Sequence, residues 1–363
     1  MDHHSKRKRV EWPPSILHET PMGQLRDASA NWYPRDIGRS SVLSHGAVIY
    51  QFGDTFFHDL DGNYTGLVDN TYAIGIDKSN PSLSFSSTSH RPNDQRKEVT
   101  EHPFIHKLKS EENQDLKLWS FGGVVKKDIN HEVNLFQGWT YFEVTKPMTD
   151  TLDYDYKYIS IAKVHYDPIN MRAWTERLED QQPALFKQDE IRFGDFCTVR
   201  DEDIVYVYGH KANNKDICIA SVHKDHAADR NRYKFWNGQS WTRSISSSDP
   251  IMISMQHGQI FPTTMFGPDS PYRWAFIGCS AWGDSKVQMG RAPAPEGPWD
   301  IKETTVALYR LSQPNDGGFF YCMYPHPFAD ETEKTGDLTF SWSEGGMSGG
   351  VLMSKIRLKM EEY

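Results

Sequence analysis

The 363-residue chain carries 40 Lys and Arg against 49 Asp and Glu, a formal charge of −9. That mildly acidic balance argues against a nucleic-acid coat or a polybasic membrane anchor, and no stretch approaches the roughly 18 apolar residues of a membrane helix. The expected partner is therefore a small-molecule substrate, with no nucleic acid and no membrane; the oligomeric state is left open.

At the start of the chain, Lys6-Arg7-Lys8-Arg9 reads as a solvated, disordered charged terminus. The first thirty residues lack the apolar core of an export signal, so a cytoplasmic protein is expected unless a signal has been removed. Asn63-Tyr64-Thr65 is a lone glycosylation sequon. Four cysteines in a chain of this length do not make a disulfide framework. Cys197 and Cys218 are expected as buried free thiols on neighbouring strands.

Long helical periodicity is nearly absent, and alternating strand patterns broken by Gly, Pro, Asn and Asp recur instead. Ile204-Val205-Tyr206-Val207-Tyr208-Gly209 reads as a strand of β-branched and aromatic residues ending in a turn. Gly46 to Gly53 and Tyr272 to Gly278 repeat that pattern, and Trp236-Asn237-Gly238 and Gly297-Pro298-Trp299 repeat a blade ending. Self-similarity at about 55 to 75 residues predicts an all-β fold, a five-bladed β-propeller of four-stranded antiparallel blades around a central funnel. A two-sheet sandwich would explain the strands but not the repeated Trp endings. The predicted blades are 35–92, 115–180, 191–246, 255–306 and 317–358, with 86–114 a polar surface insertion. Residues 1–34 form a lead-in segment that completes the last blade or covers the axis, 35–358 the propeller, and 359–363 a tail.

Side chains just before the central strand of each blade converge on the axis. On the catalytic side these are Asp36, Asp54, Asp195, His257 and His326; on the substrate-binding side, Arg35, Arg39, Phe121, Gln256, Gln259 and Tyr324, with Trp119 and Trp282 as aromatic walls. Asp36 is either a base or a loop aspartate paired with Arg35. Asp54, in Phe52-Gly53-Asp54-Thr55, suits a catalytic carboxylate or a turn-former. Asp195 sits between aromatics, where burial would raise its pKa and fit a proton donor, or where it is simply satisfied. Each histidine is a general base, a donor or a structural group. No P-loop, dinucleotide fingerprint, Cys-x-x-Cys or His-Glu-x-x-His is present, so no cofactor and no metal are expected.

Arg35-Asp36-Ile37-Gly38, Phe52-Gly53-Asp54-Thr55-Phe56 and Asp69-Asn70-Thr71 resemble the first blade of propellers grouped as a domain of unknown function and related in fold to glycoside hydrolase family 43. Phe340-Ser341-Trp342-Ser343-Glu344 resembles a blade ending of that kind. Some bacterial members hydrolyse glycans, which implies Asp36 and Asp195 as catalytic carboxylates with Asp54 in support. The chain is also similar to fungal hetero-Diels–Alderases of tropolone–sesquiterpene biosynthesis, which implies a cofactor-independent cycloaddition in an aromatic-lined pocket. The first expectation is that cycloaddition chemistry; the second is glycoside hydrolysis; the third is a glycan- or protein-binding propeller without catalysis. Two features count against hydrolysis: no export signal is visible, and no clear acid Glu stands in the third blade.

Overall fold

The structure is a computed structural model and describes residues 7–28, 33–58, 61–86, 103–130, 135–149, 153–177, 183–212, 215–280, 287–304, 320–345 and 349–363. It is a five-bladed β-propeller, almost without helix.

Blade 3 shows how the sequence makes a blade. Ile204–His210 pairs antiparallel with Arg192–Asp201 on one side and Ile217–His223 on the other, and Lys234–Trp236 continues the sheet outward. Successive side chains of a strand point to opposite faces. Val205 and Val207 therefore pack toward blade 2, with Tyr141, Ile159 and Ile161, while Tyr208 packs toward blade 4, with Ile260, Trp274 and Phe276. Both faces are buried, which is why the strand reads as an unbroken apolar run.

The same apolar contact recurs five times. Ile49 and Ile74 of blade 1 meet Phe136 and Phe142 of blade 2. Ile277 and Met289 of blade 4 meet Phe340 and Trp342 of blade 5. Val351 and Met353 of blade 5 meet Val48, Tyr50 and Phe52 of blade 1, closing the ring. Five sheets with five shared cores leave no open face, and a stacked sandwich cannot produce that closure.

The inner strands succeed one another around the axis: Arg35–Val42, Val124–Asn130, Arg192–Asp201, Met255–Pro262 and Tyr321–Pro325. In blade 2 the inner strand is split. Lys117–Trp119 and Val124–Asn130 both pair with Leu135–Pro147, and Ser120 to Gly123 bulges between them. Blade 5 takes its outer strand, Ile16–Gln24, from the lead-in segment, paired with Gly350–Leu358. Met360–Glu362 pairs with Lys8–Val10. The basic run is thus not a loose terminus from Arg7 onward: Arg7 binds Asp269 and Arg9 binds Glu361. Of the polar insertion, 87–102 lies outside the described residues, while Phe104 and Ile105 are core residues between blades 1 and 2.

All four cysteines are buried and free. Cys197 and Cys218 are not on adjacent strands: they pair with Tyr208 and Gly209 from opposite sides of the strand between them.

Candidate active site

A buried arginine plugs the axis. Arg39, 1% exposed, points from blade 1 across the centre. Its Nη1 donates to the carbonyl oxygens of Phe121, Phe196 and Gly258, one on each of blades 2, 3 and 4, and its Nη2 approaches Cys197 Sγ at 3.2 Å. The ring of Tyr324 from blade 5 lies 4.7 Å from its guanidinium carbon. Gly123 has a φ of +82° and leaves room for this side chain, since a Cβ there would sit 2.6 Å from Arg39 Nε. Arg39 and Tyr324, expected to bind substrate, instead tie the five blades together. A guanidinium at the point where five inner strands meet is within reach of main-chain acceptors, which consume its donors.

His326 is also structural. It is fully buried, with Nδ1 2.7 Å from Ser40 Oγ and Nε2 2.8 Å from Ser341 Oγ. Burial, and then the nearby Arg39 charge, push its pKa down to about 3, so the ring is neutral and both nitrogens are committed. Arg35 turns away from the axis, its guanidinium carbon 3.7 Å from the Phe52 ring centroid, and lines a side cavity of about 360 Å³ with Tyr33, Asp27 and Gln24. Trp282 lies outside the described residues.

Of the other expected residues, Asp36, Asp54, Trp119, Phe121 and His257 gather in one group. Tyr321 donates to Asp36 Oδ2 at 3.2 Å, while the buried Asp36 Oδ1 has no hydrogen-bond partner among the described residues. Gly53 permits this placement, because a Cβ there would lie 2.4 Å from Asp36 Oδ1. Burial, followed by the Asp54 charge, raises the Asp36 pKa to about 7 against the opposing effect of Tyr321. Asp54 accepts from Trp119 Nε1 at 3.2 Å, and burial lifts its pKa too, opposed by Lys117 and the Trp119 bond. Trp119 packs edge-on against Tyr154, with centroids 4.6 Å apart, and lies near Phe121. Phe121 stacks on His257 at 5.1 Å and 28°. Burial, then the His210 and Arg39 charges, lower the His257 pKa to about 3, so it is neutral with a buried, unpartnered Nδ1. Beside it Gln256 accepts from Cys279 Sγ, and its Nε2 has no partner among the described residues. Gln259 lies past Gly258 on the same strand, with a buried, unpartnered Oε1. Buried polar atoms without partners are few in native proteins and call for an explanation such as a polar ligand.

Asp195 belongs to a second group. It accepts from the backbone N–H of His210 at 3.0 Å and lies 2.9 Å from His210 Nδ1, whose Nε2 donates to the Met255 carbonyl at 3.0 Å. Burial opposes the charged imidazole, but the Asp195 carboxylate outweighs it and the His210 pKa rises. Asp195 is thus a paired aspartate, not an isolated acid. Its neighbour is Glu143 of blade 2, which sequence reasoning passed over. Burial, and then the Asp195 charge, raise the Glu143 pKa to about 7, with Arg192 and His210 opposing. Glu143 pairs across the strands with Trp119. Trp119 reaches toward Asp54 in blade 1, and Glu143 toward Asp195 in blade 3.

The fold is a five-bladed propeller in which Asp36, Asp54, Trp119, Phe121 and His257 form one contact group. The chain belongs to the family described as "Domain of unknown function (DUF5005)", whose model matches residues 23–347. No curated protein matches it in sequence. In structure it is similar to a Bacteroides ovatus protein with a provisional hydrolase designation, at a TM-score of 0.59 and 16% identity over 89% of this chain and 85% of that one. It is also similar to a family 117 glycoside hydrolase of Zobellia galactanivorans (TM-score 0.47, 10% identity, 90% and 84% covered) and to a GH43_1 enzyme of Xanthomonas citri (TM-score 0.47, 10% identity, 94% and 90% covered). At these identities the likeness is one of fold.

Proposed function

We propose that the protein is a glycoside hydrolase, with Asp36 as the general base and Glu143 as the general acid. The observation that carries this reading is a matched pair of buried carboxyls on adjacent blades, each raised to about 7 by burial and by a neighbouring carboxylate, Asp54 for one and Asp195 for the other. Groups with pKa values near the working pH are effective at moving protons in both directions. Glycoside hydrolysis needs two such carboxyls across the scissile bond. In the proposed step Asp36 takes a proton from water as its oxygen bonds to the anomeric carbon. Glu143 gives its proton to the departing glycosidic oxygen as that bond breaks. Trp119, Phe121 and Tyr154 provide flat apolar surface for a sugar ring, and Gln256 and His257 offer polar atoms for hydroxyl groups.

The reaction class agrees with the designation of the Bacteroides ovatus protein. Cycloaddition gains no support from the comparisons. Two of the donors it would use, Tyr324 and His326, are buried inside the core.

The test is turnover of a panel of oligosaccharides and aryl glycosides by the wild type, Asp36→Asn and Glu143→Gln. Both variants should lose about 10³-fold on oligosaccharides, within the range of general acid–base catalysis. Glu143→Gln should recover most of its rate on aryl glycosides with acidic leaving groups, which need no proton, and Asp36→Asn should not. A wild type that cleaves no member of the panel, or an Asp36→Asn protein as fast as wild type, overturns the reading.

A further inference from the structure

Beside the axial site, at the junction of blades 2 and 3, a cavity of about 730 Å³ is lined by Lys146, Tyr154, Tyr156, Gln188 and Arg192 among others. Tyr154 stands edge-on to Trp119, with ring centroids 4.6 Å apart. Tyr156 stands in the field of Glu143 and Asp195, and Arg192 in that of Glu143, so the cavity adjoins the acid half of the site. Tyr156 is 7% exposed, yet its hydroxyl has no hydrogen-bond partner among the described residues. The Arg192 guanidinium carbon lies 4.2 Å from the Tyr156 ring centroid, and Arg192 forms no ion pair among the described residues. The carboxylate that also lines the cavity, Asp155, is held by Lys157 at 2.5 Å and Gln188 at 3.1 Å. Lys146 and Arg192 thus bring positive charge to the cavity without an ion pair among the described residues, Arg192 also standing in the field of Glu143.

We propose that this cavity is the subsite for an anionic sugar unit of the substrate. Its carboxylate or sulfate ester is bound by Arg192 and the Tyr156 hydroxyl, Lys146 stands at the rim, and the ring rests on Tyr154. A planar guanidinium with a hydroxyl beside it matches the oxygens of either anion. An anion that neutralises Arg192 also removes one of the two positive charges opposing the rise of the Glu143 pKa, so the substrate itself would help to keep the acid protonated.

The place of this unit beside the scissile bond rests on the hydrolase reading; its binding does not. Calorimetric titration with sulfur-linked, uncleavable disaccharides separates the two. One ligand carries a uronate, one a sulfate ester and one neither. At least one charged ligand should bind about 10-fold or more tighter than the neutral one, a preference that shrinks with added salt. Tyr156→Phe, Arg192→Gln and the exposed Lys146→Gln should each weaken the charged ligand by about 3- to 30-fold and leave the neutral one unchanged. Equal affinity for charged and neutral ligands, no binding of either, or variants that weaken all ligands alike overturn the proposal. Charge-selective binding without hydrolysis of any glycan would leave the subsite standing and remove the hydrolase; cleavage of neutral glycans without charge preference would do the reverse.

Discussion

Asp36 and Glu143 differ from an ordinary surface carboxyl in what surrounds them. Each has lost water and gained a negative neighbour, and both effects favour the protonated form. The folded protein therefore binds more protons than the unfolded chain between about pH 4 and 7. The stabilisation from these two groups is present at low pH and is lost as pH rises through 7. Asp36→Asn and Glu143→Gln remove that dependence. Melting curves should show each variant gaining on the wild type as pH is raised from 4 to 8. A difference that stays constant over this range would mean that both groups titrate as ordinary carboxyls.

At this scale the sequence shows only part of the site. Asp36 and Asp54 stand out because each lies close to a glycine, in Asp36-Ile37-Gly38 and Gly53-Asp54. Glu143 was readable in principle, as a lone carboxyl between Phe142 and Val144 in a strand buried on both faces. His326 could not be assigned from sequence: Ser341 lies on the next strand of its own blade, but Ser40, 286 positions away, is brought to it by ring closure.

At the scale of the element, the inner strands do two jobs at different heights along the axis. Arg35–Val42 offers Asp36 to the site and, three residues later, sends Arg39 into the centre. The register shifts between Arg35 and Arg39 break the strict alternation of the strand. Sequence spacing alone therefore could not say which of its polar residues faces a ligand and which is consumed by neighbouring blades. Arg39→Met removes donors from the carbonyls of Phe121, Phe196 and Gly258 at once and leaves buried acceptors unpaired. The expected loss is about 3–5 kcal/mol of stability, at the upper end for a single substitution. A shift in the urea midpoint checks it, and a loss under about 1 kcal/mol would show that the plug does not hold the blades together.

At the scale of the molecule, the fold was legible because repetition is a strong signal: the strand pattern and the Trp endings recur with the blade. The five shared cores explain that legibility, since each central strand must be apolar on both faces to pack against two neighbours. Closure then assembles a site whose parts come from residues 36 to 321 and that no single blade contains. It also leaves the carboxyls Asp36 and Glu143 on neighbouring blades, each with its pKa raised by burial. The most direct test of that arrangement is an infrared titration of the carboxyl C=O stretch, comparing wild type with Asp36→Asn and Glu143→Gln. Two carboxyls should lose their protons with midpoints near pH 7, one absent in each variant. If both difference spectra show deprotonation complete by about pH 5, the buried acid–base pair does not exist.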